Sequence, residues 1–341
     1  MIINNLKYGS KIAIAAPARM VTREEMVFGI QWLKDMGFVP VYDDRLFNQH
    51  YIFSGDDDTR AAVFQEYLDN EEIEAIWLAR GGYGGIRIID KLDFTKFLQH
   101  PKWIVGFSDS TILHGKLSRL GITSLHASMP FYFANKTPEA KQSLYDALTG
   151  KSLQYAFSSH PLNRCGEVEA EVVGGNLSVL IGMMGSETFP ETNGKILFIE
   201  EVDEYIYHID RMMHCLKRAR KLDRLKGLIV GGLTQIKDNT HPFGMTAEQV
   251  IAEAVSEYGY PVCFGSLPVI STIIGRCFSG INLGLKSLLK NQFSLAILSI
   301  DLRMFFINSG LVRLSQSQKV MPMYFAVFFQ LPLWSFLSEK M

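Results

Sequence analysis

The reading of the fold starts from Lys102-Trp103-Ile104-Val105-Gly106-Phe107-Ser108-Asp109-Ser110-Thr111. An apolar run ends in a Gly-x-Ser turn. A helical pattern follows, with Ile112, Leu113, Leu117 and Leu120 on one face. Strand, tight turn and helix make up the context in which a serine hydroxyl is lifted out of a sheet edge. The helix N-terminus behind it lends partial positive charge to an oxyanion formed there. Small residues at Gly106 and Ser110 let the backbone turn sharply. A nucleophile elbow usually carries Gly where Ser110 stands, so the match is close and imperfect. The competing reading is an ordinary βα turn in which Ser108 and Asp109 cap the helix.

Outward from this stretch, strands and helices alternate. Lys11–Ala18 reads as a short buried strand with its turn. A helix is expected from about Thr22 to Met36, opened by a Thr22/Glu25 capping box. Phe38–Tyr42 is the next strand, and Ser54–Arg60 opens another helix with acidic residues in its first turn. Ile73–Ala79 is a strand that runs directly into Arg80-Gly81-Gly82-Tyr83-Gly84-Gly85. Such alternation makes a parallel sheet covered by helices, with sites at the carboxyl ends of its strands. The glycine loop and Ser108 both fall there. So does His126, at the end of the strand expected within Gly121–Pro130; it either lines the site or is a hydrogen-bonded structural histidine.

The glycine loop has three readings. It cradles a phosphate, it is a turn needing positive φ, or it brings backbone N–H groups to a substrate carbonyl. Its spacing is not Gly-x-Gly-x-x-Gly, and the third reading fits best beside a candidate nucleophile. Arg80 is either a structural residue or a partner for a substrate carboxylate.

The 341 residues allow two domains. We expect an N-terminal α/β domain over 1–150, a linker over 151–165, a second domain over 166–265 and an aberrant tail over 266–341. In the second domain, Glu167–Val173 alternates as a half-exposed strand, Gly174-Gly175-Asn176 turns, and Leu177 opens a helix. Lys195–Ile199 is a buried strand ending on Glu200-Glu201. A carboxylate at such a strand end is costly without a partner. Glu200 either orients a histidine base, or it or Glu201 pairs with Arg211 or Lys217. The net charge of -1 implies no polyanionic partner such as nucleic acid. Four widely spaced cysteines, at 165, 215, 263 and 277, read as reduced thiols. The start of the chain lacks the pattern of a signal peptide, so a cytoplasmic location is expected. The run Met321–Leu337 is short for a membrane span and holds Pro322 and Pro332, so no membrane partner is expected.

Taken together, Gly-Phe-Ser-Asp at 106–109, Arg-Gly-Gly-Tyr-Gly at 80–84, Gly-Gly-Asn-Leu at 174–177, Ile-Glu-Glu-Val-Asp-Glu-Tyr at 199–205 and Ile-Asp-Arg-Met at 209–212 resemble the LD-carboxypeptidases, a family of serine peptidases. The likeness runs from about Lys7 to Gly265. It implies a flavodoxin-like parallel-sheet N-terminal domain joined to a smaller β-rich α+β C-terminal domain, with the site between them. It implies cleavage of an L,D-peptide bond that releases terminal D-Ala from a murein tetrapeptide during cell-wall recycling. Carried across by motif, Ser108 is the nucleophile and Glu200 the triad acid. The N–H groups of Gly82 and Asp109 form the oxyanion hole, and Arg80, Tyr83 and His126 face the substrate. Neither metal nor cofactor is implied, and a homodimer is left open. Two other functions compete: a peptide-binding protein without turnover, and a family variant that hydrolyses a peptide–nucleotide antibiotic for self-immunity.

The departure is the third triad member. In the family the histidine follows the acid, in a Pro-x-Gly-His segment. Here Val262-Cys263-Phe264-Gly265 is followed by Ser266-Leu267-Pro268-Val269-Ile270-Ser271-Thr272-Ile273-Ile274, and no histidine lies beyond 241. His208, His214 and His241 are conceivable substitutes. After Gly265 the only acids are Asp301 and Glu339. Back-translation in a shifted frame, taking each codon's third base with the next codon's first two, permits Ala-Gly-His-Ile-Asp-Asp-Asn-Arg from Leu267 into Gly275. The tail therefore reads as out of frame, with the catalytic base lost.

Overall fold

The computed structural model describes residues 3–151, 153–158, 160–265, 272–274, 281–284 and 295–300. All of them fall within one unit, Met1–Met304. The first elements are β1 (Lys11–Ala15), α1 (Arg23–Asp35), β2 (Val39–Val41), α2 (Asp57–Asp69), β3 (Ala75–Leu78), α3 (Gly85–Ile88), α4 (Thr95–Gln99), β4 (Trp103–Gly106), α5 (Thr111–Arg119), β5 (Ser124–His126) and α6 (Pro138–Leu148). Then come β6 (Leu153–Ser158), β7 (Val172–Asn176), α7 (Leu177–Gly182), β8 (Ile196–Val202), α8 (Ile206–Arg218), β9 (Gly227–Thr234), α9 (Ala247–Ala254) and β10 (Val262–Phe264). The remaining described strands are β11 (Thr272–Ile274), β12 (Ile281–Gly284) and β13 (Leu295–Ile300).

Helix starts follow local chemistry. Thr22 accepts the Glu25 N–H while Glu25 accepts the Thr22 N–H, so the expected capping box is formed. Asp56 caps α2 through the Thr59 N–H, which places that start two residues later than the first residue of the Ser54–Arg60 signal. β1, β3 and β4 carry short, almost wholly buried apolar runs, as strands covered on both faces require.

The first sheet has the order β11-β5-β4-β3-β1-β2. Its β5-β4-β3-β1-β2 part is parallel, and β11 adds antiparallel to β5. A second sheet, β10-β9-β8-β7, is also parallel, with helices between its strands. A third, β12-β13-β6, is antiparallel; its β6 lies within the stretch expected as a linker. The α/β class is as expected, with parallel sheets in both halves.

One local expectation is corrected. Glu167–Glu171 is not strand, and β7 instead runs Val172–Asn176 through Gly174 and Gly175, which were expected to turn. Both glycines have positive φ, 126° and 146°. A Cβ on Gly174 would collide with the Phe198 carbonyl of β8, and one on Gly175 with Thr111 of α5. Close approach by two neighbours, and not a turn, is what requires glycine here.

The core of the first half gathers around Trp77, with Trp32 and Phe133 rings 5.6 and 5.0 Å away. That of the second half includes Leu197, Ile199, Met213 and Leu228, all essentially inaccessible. The two meet where the start of α5 touches the end of β7. The Asn176 N–H donates to Thr111 Oγ1 at 2.9 Å. Among the described residues no helix is long and apolar enough to cross a membrane.

Candidate active site

Ser108 follows β4 and opens a short 3-10 turn, Ser108–Ser110, that leads into α5. Its φ is +63°, a conformation that side chains other than glycine adopt at a cost of about 1–3 kcal/mol. The turn is tight on both sides. A Cβ on Gly106 would lie 2.9 Å from Leu78 Cδ1 and 3.0 Å from Ser110 Oγ. One on Gly81 would lie 3.1 Å from Ser108 Cβ. The glycine loop therefore runs directly against the elbow.

The loop is clamped by two buried charges. The Asp109 carboxylate accepts the Gly85 N–H at 2.7 Å, and it is 5% exposed. Burial pushes its pKa up, while hydrogen bonds from Gly85 and Gly84 and the charge of Arg60 pull it down. From the other side, Arg60 Nη1 donates to the Gly84 carbonyl at 3.1 Å and also to the Pro17 carbonyl. Arg60 pairs with Asp57, which Arg87 also holds at 2.8 Å. Gly84 has φ +144°, and a Cβ there would lie 2.8 Å from Arg60 Nη1. Gly82, at φ +104°, is exposed and follows Gly81, the glycine that packs against Ser108. A loop held at fixed carbonyls and amides is what an oxyanion site requires, because donors that need no reorganisation stabilise charge best.

Behind the elbow sits a buried histidine. His114 Nδ1 is 2.8 Å from Ser124 Oγ, and Nε2 is 2.9 Å from the Gly106 carbonyl. Burial drives its pKa down to about 4, so it is neutral and knits β4, α5 and β5 together. His126 is 4% exposed, with Phe198 5.0 Å and Phe107 6.1 Å away between ring centroids. Burial holds its pKa well below the usual histidine range. Its place is thus between the residue before Ser108 and the residue two before Glu200.

Glu200 stands at the carboxyl end of β8, opposite Asn176 of β7. On the β9 side the register shifts between Ile199 and Glu201, so Gly231 and Gly232 face Glu200 across a bulge. Bulges re-aim side chains near sites. Glu200 Oε1 is enclosed and has no hydrogen-bond partner among the described residues. Burial first, and then the neighbouring Glu201 charge, raise its pKa to about 8, with an Asn176 hydrogen bond pulling the other way. Glu201, in contrast, is fully occupied: Asn176 Nδ2 donates to it at 2.9 Å, and the Ser178 N–H and hydroxyl at 2.8 and 2.6 Å. The alternative pairings of these carboxylates do not form. Lys217 holds Glu257 at 2.8 Å, and Arg211 lies over the Tyr207 ring.

The other histidines considered as a base are engaged or exposed elsewhere. His208 Nδ1 is 2.5 Å from Glu204, His214 is 3.6 Å from Asp210, and His241 is exposed. The segment at 266–271, where the family histidine was sought, lies outside the described residues; β11 then brings the chain back beside β5, with Thr272 paired to His126. Arg80 and Tyr83 flank the loop, Arg80 with its guanidinium 3.7 Å over Phe131 and Tyr83 half exposed with Phe53 6.0 Å away. Sequence reading did not single out Arg60, Thr111 or Asn176. Only a fold brings Arg60 to Gly84 or Thr111 to Asn176, although Asn176 beside two glycines was a local signal.

Comparison with known proteins agrees with this architecture. Residues 12–127 match the LD-carboxypeptidase N-terminal domain, and residues 169–267 match the LD-carboxypeptidase C-terminal domain. A probable murein peptide carboxypeptidase of Bacillus subtilis is 31% identical over 266 residues, covering 76% of this chain and 83% of the relative. The microcin C7 self-immunity protein of Escherichia coli is 28% identical over 64% of this chain and 73% of its own. The crystal structure of a muramoyltetrapeptide carboxypeptidase from Oxalobacter formigenes superposes with a TM-score of 0.75 at 26% identity, covering 85% of this chain and 98% of that one. With both family domains matched in order and a relative of this identity aligned along most of its length, the chain belongs to the LD-carboxypeptidase family.

Proposed function

We propose that this carboxypeptidase-family chain is built for serine-type cleavage of an L,D-peptide bond, releasing terminal D-Ala from a murein tetrapeptide. Ser108 Oγ attacks the carbonyl carbon, and the oxyanion is received by the N–H groups of Gly82 and Asp109. A base takes the Ser108 proton and passes it to the departing amine, and water then releases the acyl group. Glu200 orients and charge-stabilises that base. The observation that carries this reading is the pairing of a strained serine elbow with an enclosed carboxylate on the adjoining sheet, one of whose oxygens has no partner among the described residues.

We also propose that the polypeptide in this form is impaired, because the Gly-His segment is replaced by Ser266–Ile274. A serine without its base is a weak nucleophile. The orphaned Glu200 Oε1 supports a second reading, a protein that binds the peptide and turns it over poorly. Calorimetric titration with murein tetrapeptide, run beside an assay for free D-Ala, tests both. Binding with D-Ala release that Ser108→Ala abolishes supports the catalytic reading. Binding without release supports the second, and absence of binding rejects the murein substrate.

A further inference from the structure

The net charge of -1 hides an uneven distribution. Six of the ten residues from Lys217 to Lys226 are Lys or Arg, and Asp223 is the one acid. The stretch covers the last turn of α8, the turn after it and the loop that leads into β9. Lys217 and Arg218 complement the negative end of the α8 dipole. The acids nearby are already engaged. Glu257 holds Lys217 at 2.8 Å, Asp223 accepts the Tyr258 hydroxyl at 3.1 Å, and Glu191 feels the charges of Lys221 and Arg119. Arg218, Arg220, Arg224 and Lys226 are exposed and form no ion pair among the described residues. Helix α8 closes with the Arg220 N–H donating to the Lys217 carbonyl and the Lys221 N–H to the Leu216 carbonyl, both at 2.9 Å. This closure places its turn residue in the left-handed region, a position that usually holds glycine. Arg220 stands there, at φ +57°. Glycine would close the turn without strain, so stability does not account for the arginine.

The Arg224 carbonyl accepts the Gly194 N–H at 2.7 Å, and the Lys226 N–H donates to the Lys195 carbonyl at 2.8 Å. The patch therefore borders the amino ends of β8 and β9. Glu200 lies towards the carboxyl end of β8, about 13 Å along the strand from Ile196. A partner held at the patch leaves the candidate site open. The stretch contains no aromatic residue on which a nucleic-acid base could stack, and its Leu222 and Leu225 are buried. Contact there is electrostatic, without insertion. Cations distributed over a helix end, a turn and a loop suit an extended anionic surface, and guanidinium groups match phosphate in two-pronged geometry. We propose that Arg218, Arg220, Arg224 and Lys226 dock this protein on the headgroup phosphates of an anionic phospholipid bilayer.

Vesicle co-sedimentation of the full chain tests this. Vesicles are made of phosphatidylcholine alone or with about a third phosphatidylglycerol, a surface charged enough to gather basic segments. We expect binding to the charged vesicles only, and its loss when salt rises from about 0.1 M to 1 M and the screening length falls from about 10 to 3 Å. Arg224→Gln with Lys226→Gln should lower affinity at least about tenfold. Lys7→Gln with Lys34→Gln makes the same charge change at exposed lysines elsewhere and should leave affinity within about twofold. Arg220→Gly should weaken binding about fivefold while the melting temperature holds or rises, which separates docking from folding. Equal binding to neutral vesicles overturns the inference, because apolar surface would then be responsible. Binding that survives the Arg224/Lys226 and Arg220 changes overturns it as well. So does the absence of binding to charged vesicles; duplex DNA bound in their place would assign the patch to nucleic acid instead.

Discussion

The two halves of the candidate site differ in how far their polar groups are satisfied. On the first sheet, Asp109 is buried yet holds amide donors from the glycine loop, and Arg60 closes the other side of the same loop. On the second sheet, Glu201 is equally well served, while its neighbour Glu200 keeps one enclosed oxygen without a partner. A buried carboxylate in want of a hydrogen bond costs free energy. The first half is therefore complete in itself. The second keeps a carboxylate oxygen open among the described residues, which is what the proposed role of Glu200 as triad acid calls for.

The largest effect should come from the elbow. In a chain whose codons after Gly265 are read in the shifted frame, Ser108→Ala should lower kcat by about 10³-fold or more, with little change in KM. The melting temperature should hold or rise, because the substitution removes no packing at this partly exposed turn. A fall in stability instead would make Ser108 a structural residue.

Next comes the contrast between the carboxylates. Glu200 has a folded pKa of about 8 against an ordinary 4.5, so the folded state prefers its protonated form. The sign follows: Glu200 costs nothing at low pH, and stability is lost as pH rises from about 4.5 through 8. Glu200→Gln should remove that slope and raise stability at pH 9 by on the order of 5 kcal/mol, with little gain at pH 5. Denaturant titrations at the two pH values measure this. A variant that loses stability at pH 9 would mean the carboxylate is paired after all.

Removing the satisfied acid should do the reverse. Asp109→Ala leaves the Gly84 and Gly85 amides without their acceptor and should cost about 2 kcal/mol in chemical denaturation. Hydrogen exchange should speed up at Gly84 and Gly85 before it does in β4. The smallest effect belongs to the contact between the halves. Thr111→Val removes the acceptor of the Asn176 N–H and should cost about 1 kcal/mol.

Much of this was legible in the chain because the signals are local. An apolar run, a Gly-x-Ser turn and a helical stripe sit within twenty residues, and the Thr22/Glu25 cap spans four. What escaped was set by distant neighbours. Gly174 and Gly175 read as a turn, yet they are strand residues that admit the Phe198 carbonyl and Thr111. Asp109 read as a helix cap or an amide donor, whereas its side chain also fixes a loop 24 residues earlier in the chain. Glu200 could be flagged as costly, but only the bulge and the occupied Glu201 distinguish which of two adjacent carboxylates keeps an oxygen without a partner among the described residues.

The most direct measurement compares two polypeptides on one substrate. D-Ala release from murein tetrapeptide is followed for the present chain and for one whose codons after Gly265 are read in the shifted frame. We expect the restored chain to release D-Ala at least about a thousandfold faster, and to lose that activity with Ser108→Ala. Equal and robust release by the present chain would contradict the loss of its base.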